Sequence, residues 1–198
     1  MKHLKMLGLL VMAAASLMAF AGSASAAPVL TSPAGTDYTG TIHATLEESA
    51  LLKAGIEVTC TESTAHGIVS VNNTTHAEGA LSTELTKEST QPTGLHFGGC
   101  NAHVNVINPG SLTIDDKGTV FSKNARVEIV KTGIATCFYG TESTPISIGD
   151  LTPGTPATLD ISTTHLKRLA GSNIFFCASE GTWSGKYKVT TPGTLLLT

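Results

Sequence analysis

Gly40-Thr41-Ile42, Leu51-Leu52-Lys53-Ala54-Gly55-Ile56 and Thr59-Cys60 recur, in the same order, as Gly118-Thr119-Val120, Ile129-Val130-Lys131-Thr132-Gly133-Ile134 and Thr136-Cys137. Thr-Glu-Ser-Thr follows each cysteine, at 61–64 and again at 141–144. A second cysteine stands 40 positions beyond the first in both halves, Cys60 to Cys100 and Cys137 to Cys177. Pro-Gly-(Ser/Thr)-Leu closes each half, at 109–112 and 192–195. A unit written twice with cysteines at one spacing constrains fold, symmetry and redox setting together. It leaves the chemistry open.

The segments between these marks alternate polar and apolar residues. His103-Val104-Asn105-Val106-Ile107 breaks at Asn108-Pro109-Gly110, and Ser111-Leu112-Thr113-Ile114 breaks at Asp115-Asp116-Lys117-Gly118. Arg126-Val127-Glu128-Ile129-Val130, Thr158-Leu159-Asp160-Ile161-Ser162 and Lys186-Tyr187-Lys188-Val189-Thr190 follow the same rule. Period two puts one face inward and one toward water. Two stretches tolerate helix, 44–53 and 163–170, but 122–131, the counterpart of the first, is β-branched. A duplicated unit keeps its element type, so strands are expected throughout. The expected fold is all-β, an antiparallel sandwich of Ig-like or jelly-roll-like type built from two duplicated halves, about 38–114 and 118–198. The stretch 193–198 reads as a final strand. No linker separates the halves, so 27–198 is read as one domain.

Residues 1–26 read as a signal peptide: Lys2 and Lys5 precede an uncharged apolar run, and Ala24-Ser25-Ala26 offers a cleavage site. Its apolar run falls short of the roughly 20 residues a membrane helix requires. No membrane span is therefore expected after cleavage. Cleavage moves the formal charge from −3 to −5, with 10 basic residues against 15 acidic ones. No basic stripe remains, which argues against a nucleic-acid partner.

All four cysteines lie in the exported part, where an even number implies two disulfides. Four cysteines allow three pairings, and the internal symmetry can be satisfied by all three. Cys60–Cys100 with Cys137–Cys177 is preferred, because each repeat then carries its own staple. Zinc is disfavoured, since no Cys-x-x-Cys and no suitably spaced histidine pair occurs.

These segments resemble an uncharacterised group of small secreted proteins from high-GC Gram-positive bacteria. The likeness rests on Val58-Thr59-Cys60-Thr61-Glu62-Ser63-Thr64, Phe97-Gly98-Gly99-Cys100, Ala157-Thr158-Leu159-Asp160-Ile161, and the end from Cys177 through Trp183 and Tyr187 to Thr190-Thr191-Pro192-Gly193. The Thr/Gly-rich strands, Phe-Gly-Gly-Cys and the apolar terminal strand also resemble, more loosely, the family called activator of alkane oxidation. Both resemblances imply export, and the first implies a β fold. Neither supplies a catalytic residue.

A nucleophile–base pair could draw on Ser70 or Ser184 and on His43, His66, His76, His96, His103 or His165, but no Gly-x-Ser-x-Gly elbow is present. Glu47-Glu48 and Asp115-Asp116 are adjacent carboxylates, which a strand would point to opposite faces. Asn72-Asn73 and Asp115-Asp116 could serve calcium without forming a regular loop motif. Trp183, Tyr187, Tyr38 and Tyr139 are rings that could stack on a ligand, with core packing the more ordinary use of Trp183. If a ligand is bound, the polar inserts 72–79, 82–94 and 140–156 are the expected contact points. The expectation is a secreted, non-catalytic surface or matrix protein without cofactor or metal, its partners being cell-surface or matrix components. The alternatives are a binding module for carbohydrate or a hydrophobic ligand, and a small secreted hydrolase.

Overall fold

The computed structural model describes residues 29–33, 35–73, 75–81 and 94–198, so the signal peptide expected at 1–26 and most of the 82–94 insert lie outside the described residues. Among the described residues every regular element is a strand: β1 Leu30–Thr31, β2 Thr41–Leu46, β3 Ala50–Lys53, β4 Glu57–Asn72, β5 His76–Leu81, β6 Leu95–Cys100, β7 His103–Asn108, β8 Ser111–Asp115, β9 Thr119–Lys123, β10 Arg126–Lys131, β11 Ala135–Gly140, β12 Ile146–Thr152, β13 Thr158–Arg168, β14 Glu180–Thr191 and β15 Leu196–Leu197. All five alternating segments fall within strands. So do the two helix-tolerant stretches, apart from 47–49 and the last two residues of 163–170.

Every ladder is antiparallel. β2 and β3 are one course interrupted at 47–49, since both lie between β4 and β14. From there the ladders run β4, β5, β8, β9, β12, β13, β14 and back to β2 and β3. This is a closed circuit of eight courses, met in chain order. Two separate stacked sheets were expected; a single path closes on itself instead. The physical cause is curvature. Register shifts interrupt the β4–β5, β9–β12, β13–β14 and β14–β2 pairings, and such bulges bend and twist a sheet until its edges can meet. Alternation cannot report closure, because an inward residue looks the same in a sandwich and in a barrel.

The remaining strands build on the longest members. Residues 67–72 of β4 pair with β5, while residues 60–65 pair with β6. Residues 158–161 of β13 pair with β12, while Lys167 and Arg168 pair with β11, which continues to β10 and β7. No ladder joins β6 to β7, although they are consecutive. The result has two tiers. An upper core gathers Val29, Leu30, Val120, Ile161, Val189 and Leu195, and a lower core gathers Val58, Ile129, Tyr139, Leu166 and the cystine sulfurs. Leu46 and Trp183 pack against both.

β14 carries Lys186, Lys188 and Thr190 outward, and Gly185, Tyr187 and Val189 inward. The outer wall of this course is therefore water-facing. No described helix is long and apolar enough to cross a membrane. The β8–β9 connection is the tight turn read at 115–118: Asp115 Oδ1 accepts from the amides of Lys117 and Thr119, and Gly118 takes the positive φ of 86°. At the upper end β1 pairs with β15, the expected final strand, and Thr198 N donates to the Val29 carbonyl.

Candidate functional site

The cystines are Cys60–Cys100 and Cys137–Cys177, the two pairs favoured by the repeat spacing. Cys60 and Cys100 face each other across the β4–β6 ladder with Cα atoms 3.9 Å apart. Cys137 ties β11 to the connection between β13 and β14. Tyr139 anchors the same region, its hydroxyl 2.7 Å from the carbonyls of Ala54 and Ala178, so that one proton is shared between two acceptors.

Inside the barrel three small apolar cavities follow one another. The lower one, about 50 Å³, is walled by Leu52, Val58, Phe97, Val104, Val127 and Leu166. The upper one, about 80 Å³, is walled by Leu30, Ile42, Val69, Ile114, Val120 and Leu195. A third, about 30 Å³, lies at the waist and shares Leu95, Ile148 and Trp183 with the lower cavity and Ala65, Leu112 and Leu159 with the upper. β6 and β7, which share no ladder with each other, contribute Leu95, Phe97 and Val104 to the lower cavity, which therefore borders a gap in the wall's ladders among the described residues.

Trp183 is the centre of this interior. Phe97 meets it edge-on at 5.7 Å and Tyr187 at 6.3 Å. Tyr187 is fully buried; it donates to Ser63 Oγ at 2.9 Å, and Ser63 Oγ donates to the His96 carbonyl at 2.7 Å. Burial pushes the Tyr187 phenol up to about 12, against the opposing pull of Ser63 and of the Trp183 indole. The Trp183 indole N–H is buried too, near the Tyr187 hydroxyl but without a hydrogen bond of normal geometry. The other polar groups of the lower cavity satisfy one another. Ser122 Oγ and Thr141 Oγ1 are 3.3 Å apart, and Thr141 Oγ1 accepts from the Ala125 amide. An apolar lining with a few convergent polar groups is the usual makeup of a small-molecule site.

The remaining candidates are dispersed. Tyr139 and Tyr187 are core residues and offer no surface platform, while Tyr38 donates to the Thr41 carbonyl. Asn72 bridges to Leu30 and Tyr38, and Asn73 accepts from Thr75 and His76, so both support backbone in place of an ion. The expected polar insert at 72–79 is the end of β4, a connection at 73–75 and the first four residues of β5, and 140–156 contains β12; inward-facing Ala77 and Ile148 make both part of the wall. Ser70 is exposed and donates to the Glu78 carbonyl. Among the described residues no three His, Cys, Asp or Glu side chains group as metal ligands. His43 and His66 stack across the β2–β4 ladder with ring centroids 4.1 Å apart. Burial first, and then the His66 charge, lower the His43 pKa.

One feature has no counterpart in the sequence reading. Ile174, Phe175 and Phe176 are 67%, 87% and 52% exposed, on the connection that Cys177 pins. The available signal was an unbroken apolar triplet between Gly171-Ser172-Asn173 and a cysteine. Comparison with protein-family models, curated proteins and solved structures gives no match.

Proposed function

We propose that the protein is an exported, non-catalytic surface protein whose barrel holds a thin apolar compound along its axis. The carrying observation is the buried indole N–H of Trp183, which lies near the Tyr187 hydroxyl without a hydrogen bond of normal geometry, in a largely apolar interior. A buried donor left without an acceptor costs about 1–3 kcal/mol, a cost that one ligand oxygen would offset. An apolar cavity of about 150 Å³ takes benzene. The three cavities here are each smaller but lie in line, which suits a narrow aliphatic chain with one terminal oxygen better than a fused ring or a sugar.

Export is supported by the leader, by the two cystines and by the resemblance to secreted proteins of high-GC Gram-positive bacteria; membership in that group is part of the proposal. The non-catalytic reading is supported by hydroxyls that are bonded to backbone, phenol or one another. Duplication is proposed as the origin of the barrel. The courses β2/β3, β4, β5 and β8 are followed in the circuit by β9, β12, β13 and β14, and both cystines span a separation of 40. The lower tier, open between β6 and β7, is the nearest counterpart of a sandwich.

Trp183 is the only tryptophan, so its emission reports directly on the site. Titrating the mature chain with medium-chain alcohols and fatty acids should shift that emission and raise Tm. Trp183→Phe, followed by Tm, should weaken the oxygen-bearing ligands by about tenfold, the worth of one hydrogen bond, and leave alkanes unchanged. No response to any member of the panel would sink the ligand reading. Ester turnover abolished by one substitution would sink the non-catalytic one.

A further inference from the structure

We infer that the Ile174-Phe175-Phe176 connection is a lipid-inserting tip, by which the lower end of the barrel rests on a membrane surface. This goes beyond the interior site and does not depend on it. Exposure here is imposed by the frame. The Asn173 amide donates to the Thr136 carbonyl, the Ala178 amide to Ala54 and the Cys177 amide to Asn173. Asn173 Oδ1 accepts from the Phe175 amide, and Ser172 Oγ is bonded to both the amide and the carbonyl of Phe138. The cystine to Cys137 closes the set. Gly55 allows the β3–β4 turn to press against this backbone; a Cβ there would sit 2.6 Å from the Phe176 carbonyl oxygen. A connection fixed so firmly could have carried polar side chains at no structural cost, yet it presents three large apolar ones.

The occupant follows from shape and charge. These three side chains are the most exposed run of large apolar residues among the described residues, with Ile134, 49% exposed, on the β10–β11 turn. A stable protein interface needs roughly 800 Å² per partner, far more than a three-residue tip offers. Lipid asks less: a few rigid apolar and aromatic groups entering the headgroup boundary, with cations behind them at phosphate level. The base of the tip supplies these. Lys53 ends β3 beside Ala54, 3.9 Å from the Glu57 carboxylate, Lys131 ends β10 before the Ile134 turn with its Nζ donating to the Asn101 carbonyl, and Arg168 Nη1 donates to the Cys177 carbonyl at 2.6 Å.

Vesicles of phosphatidylcholine, with and without phosphatidylglycerol, test this with the mature, oxidised protein. Wild type should co-sediment with both and bind more tightly when the anionic lipid is present. Ile174→Ser/Phe175→Ser/Phe176→Ser should lower the partition coefficient by about tenfold or more, as expected from removing two phenyl rings, with Tm unchanged. Should the triple variant misfold, Phe175→Ser alone, at the most exposed position, should still weaken binding. Absence of wild-type binding, or equal binding by a folded variant, overturns the inference. So does binding that needs phosphatidylglycerol, vanishes in salt and ignores the serine changes, which would assign attachment to Lys53, Lys131 and Arg168 alone. A wild-type dimer that the serine changes dissolve would make the tip a self-contact and overturn it equally.

Discussion

The upper and lower tiers of this barrel are closed by different means. In the upper tier the hydrogen-bonded circuit is unbroken, from β4 through β5, β8, β9, β12, β13 and β14 to β2. No cysteine lies there, and its end is stoppered by β1 and β15, with Val29, Leu30 and Leu195 fully buried. In the lower tier the circuit fails between β6 and β7, and the 169–179 connection has no strand at all. Both cystines sit in that tier. Cys60–Cys100 ties down β6, which otherwise hangs on β4 alone, and Cys137–Cys177 ties down the connection that would otherwise rest on turn hydrogen bonds. Cys137–Cys177 stands where a ladder is missing, whereas Cys60–Cys100 reinforces the one ladder that holds β6.

The sharpest way to break this comparison is to remove the links. Each cystine closes a loop of about 40 residues, and limiting the freedom of the unfolded chain to that extent is worth about 4 kcal/mol. Cys137→Ala/Cys177→Ala should therefore lower the unfolding free energy by about that much in denaturant titration. Hydrogen exchange adds the spatial test: amides of β10 and β11 should lose protection while those of β8 and β9 keep theirs. Uniform loss across both tiers would mean that the cystines stabilise the barrel as a whole, and the contrast would fall.

The upper tier depends on packing. Leu30→Ala, at a site with no solvent exposure, should cost about 2–5 kcal/mol through lost burial and the cavity left behind. Its signature should be the reverse of the cystine variant, with exchange rising first at β8 and β9. If Leu30→Ala loosened β10 and β11 equally, the tiers would be one cooperative unit.

The smallest effect concerns pH. His43 has a folded pKa below its ordinary value of 6.5, so the unfolded chain binds its proton more readily. Its contribution to stability is complete above pH 6.5 and declines as pH falls through 6.5 toward the lowered value. His43→Asn should flatten that part of the stability profile. An unchanged profile would show that the His43–His66 stack carries no differential proton affinity.

Period two located the strands because inward and outward positions differ in solvation at every second residue, whatever the partner. It said nothing of partners, and β4 shows why. Val58 and Cys60 face the lower core, whereas Ser63 and Val69 face inward on the opposite parity. The switch at 61–62 carries one strand from the lower tier to the upper, and in sequence it looks like a fault in the pattern. Trp183 could be read as largely buried from its size alone, but not as the wall of a cavity, since voids arise from the packing of several strands. The exposure of Phe175 was equally illegible. An apolar triplet beside a buried cysteine reads as core until the cystine and the bonds to Thr136 and Phe138 fix which way its backbone turns.

Pairing of β1 with β15 brings the two ends of the described segment 29–198 within one hydrogen bond of each other, Thr198 N to Val29 O at 3.2 Å. A short linker between those ends, with a new break at the Lys117-Gly118 turn, would place 118–198 before 29–117. All strand pairings would be retained, including β8 with β9 across the new gap. The order of 29–117 and 118–198 along the chain is then separable from the strand pairings that close the barrel.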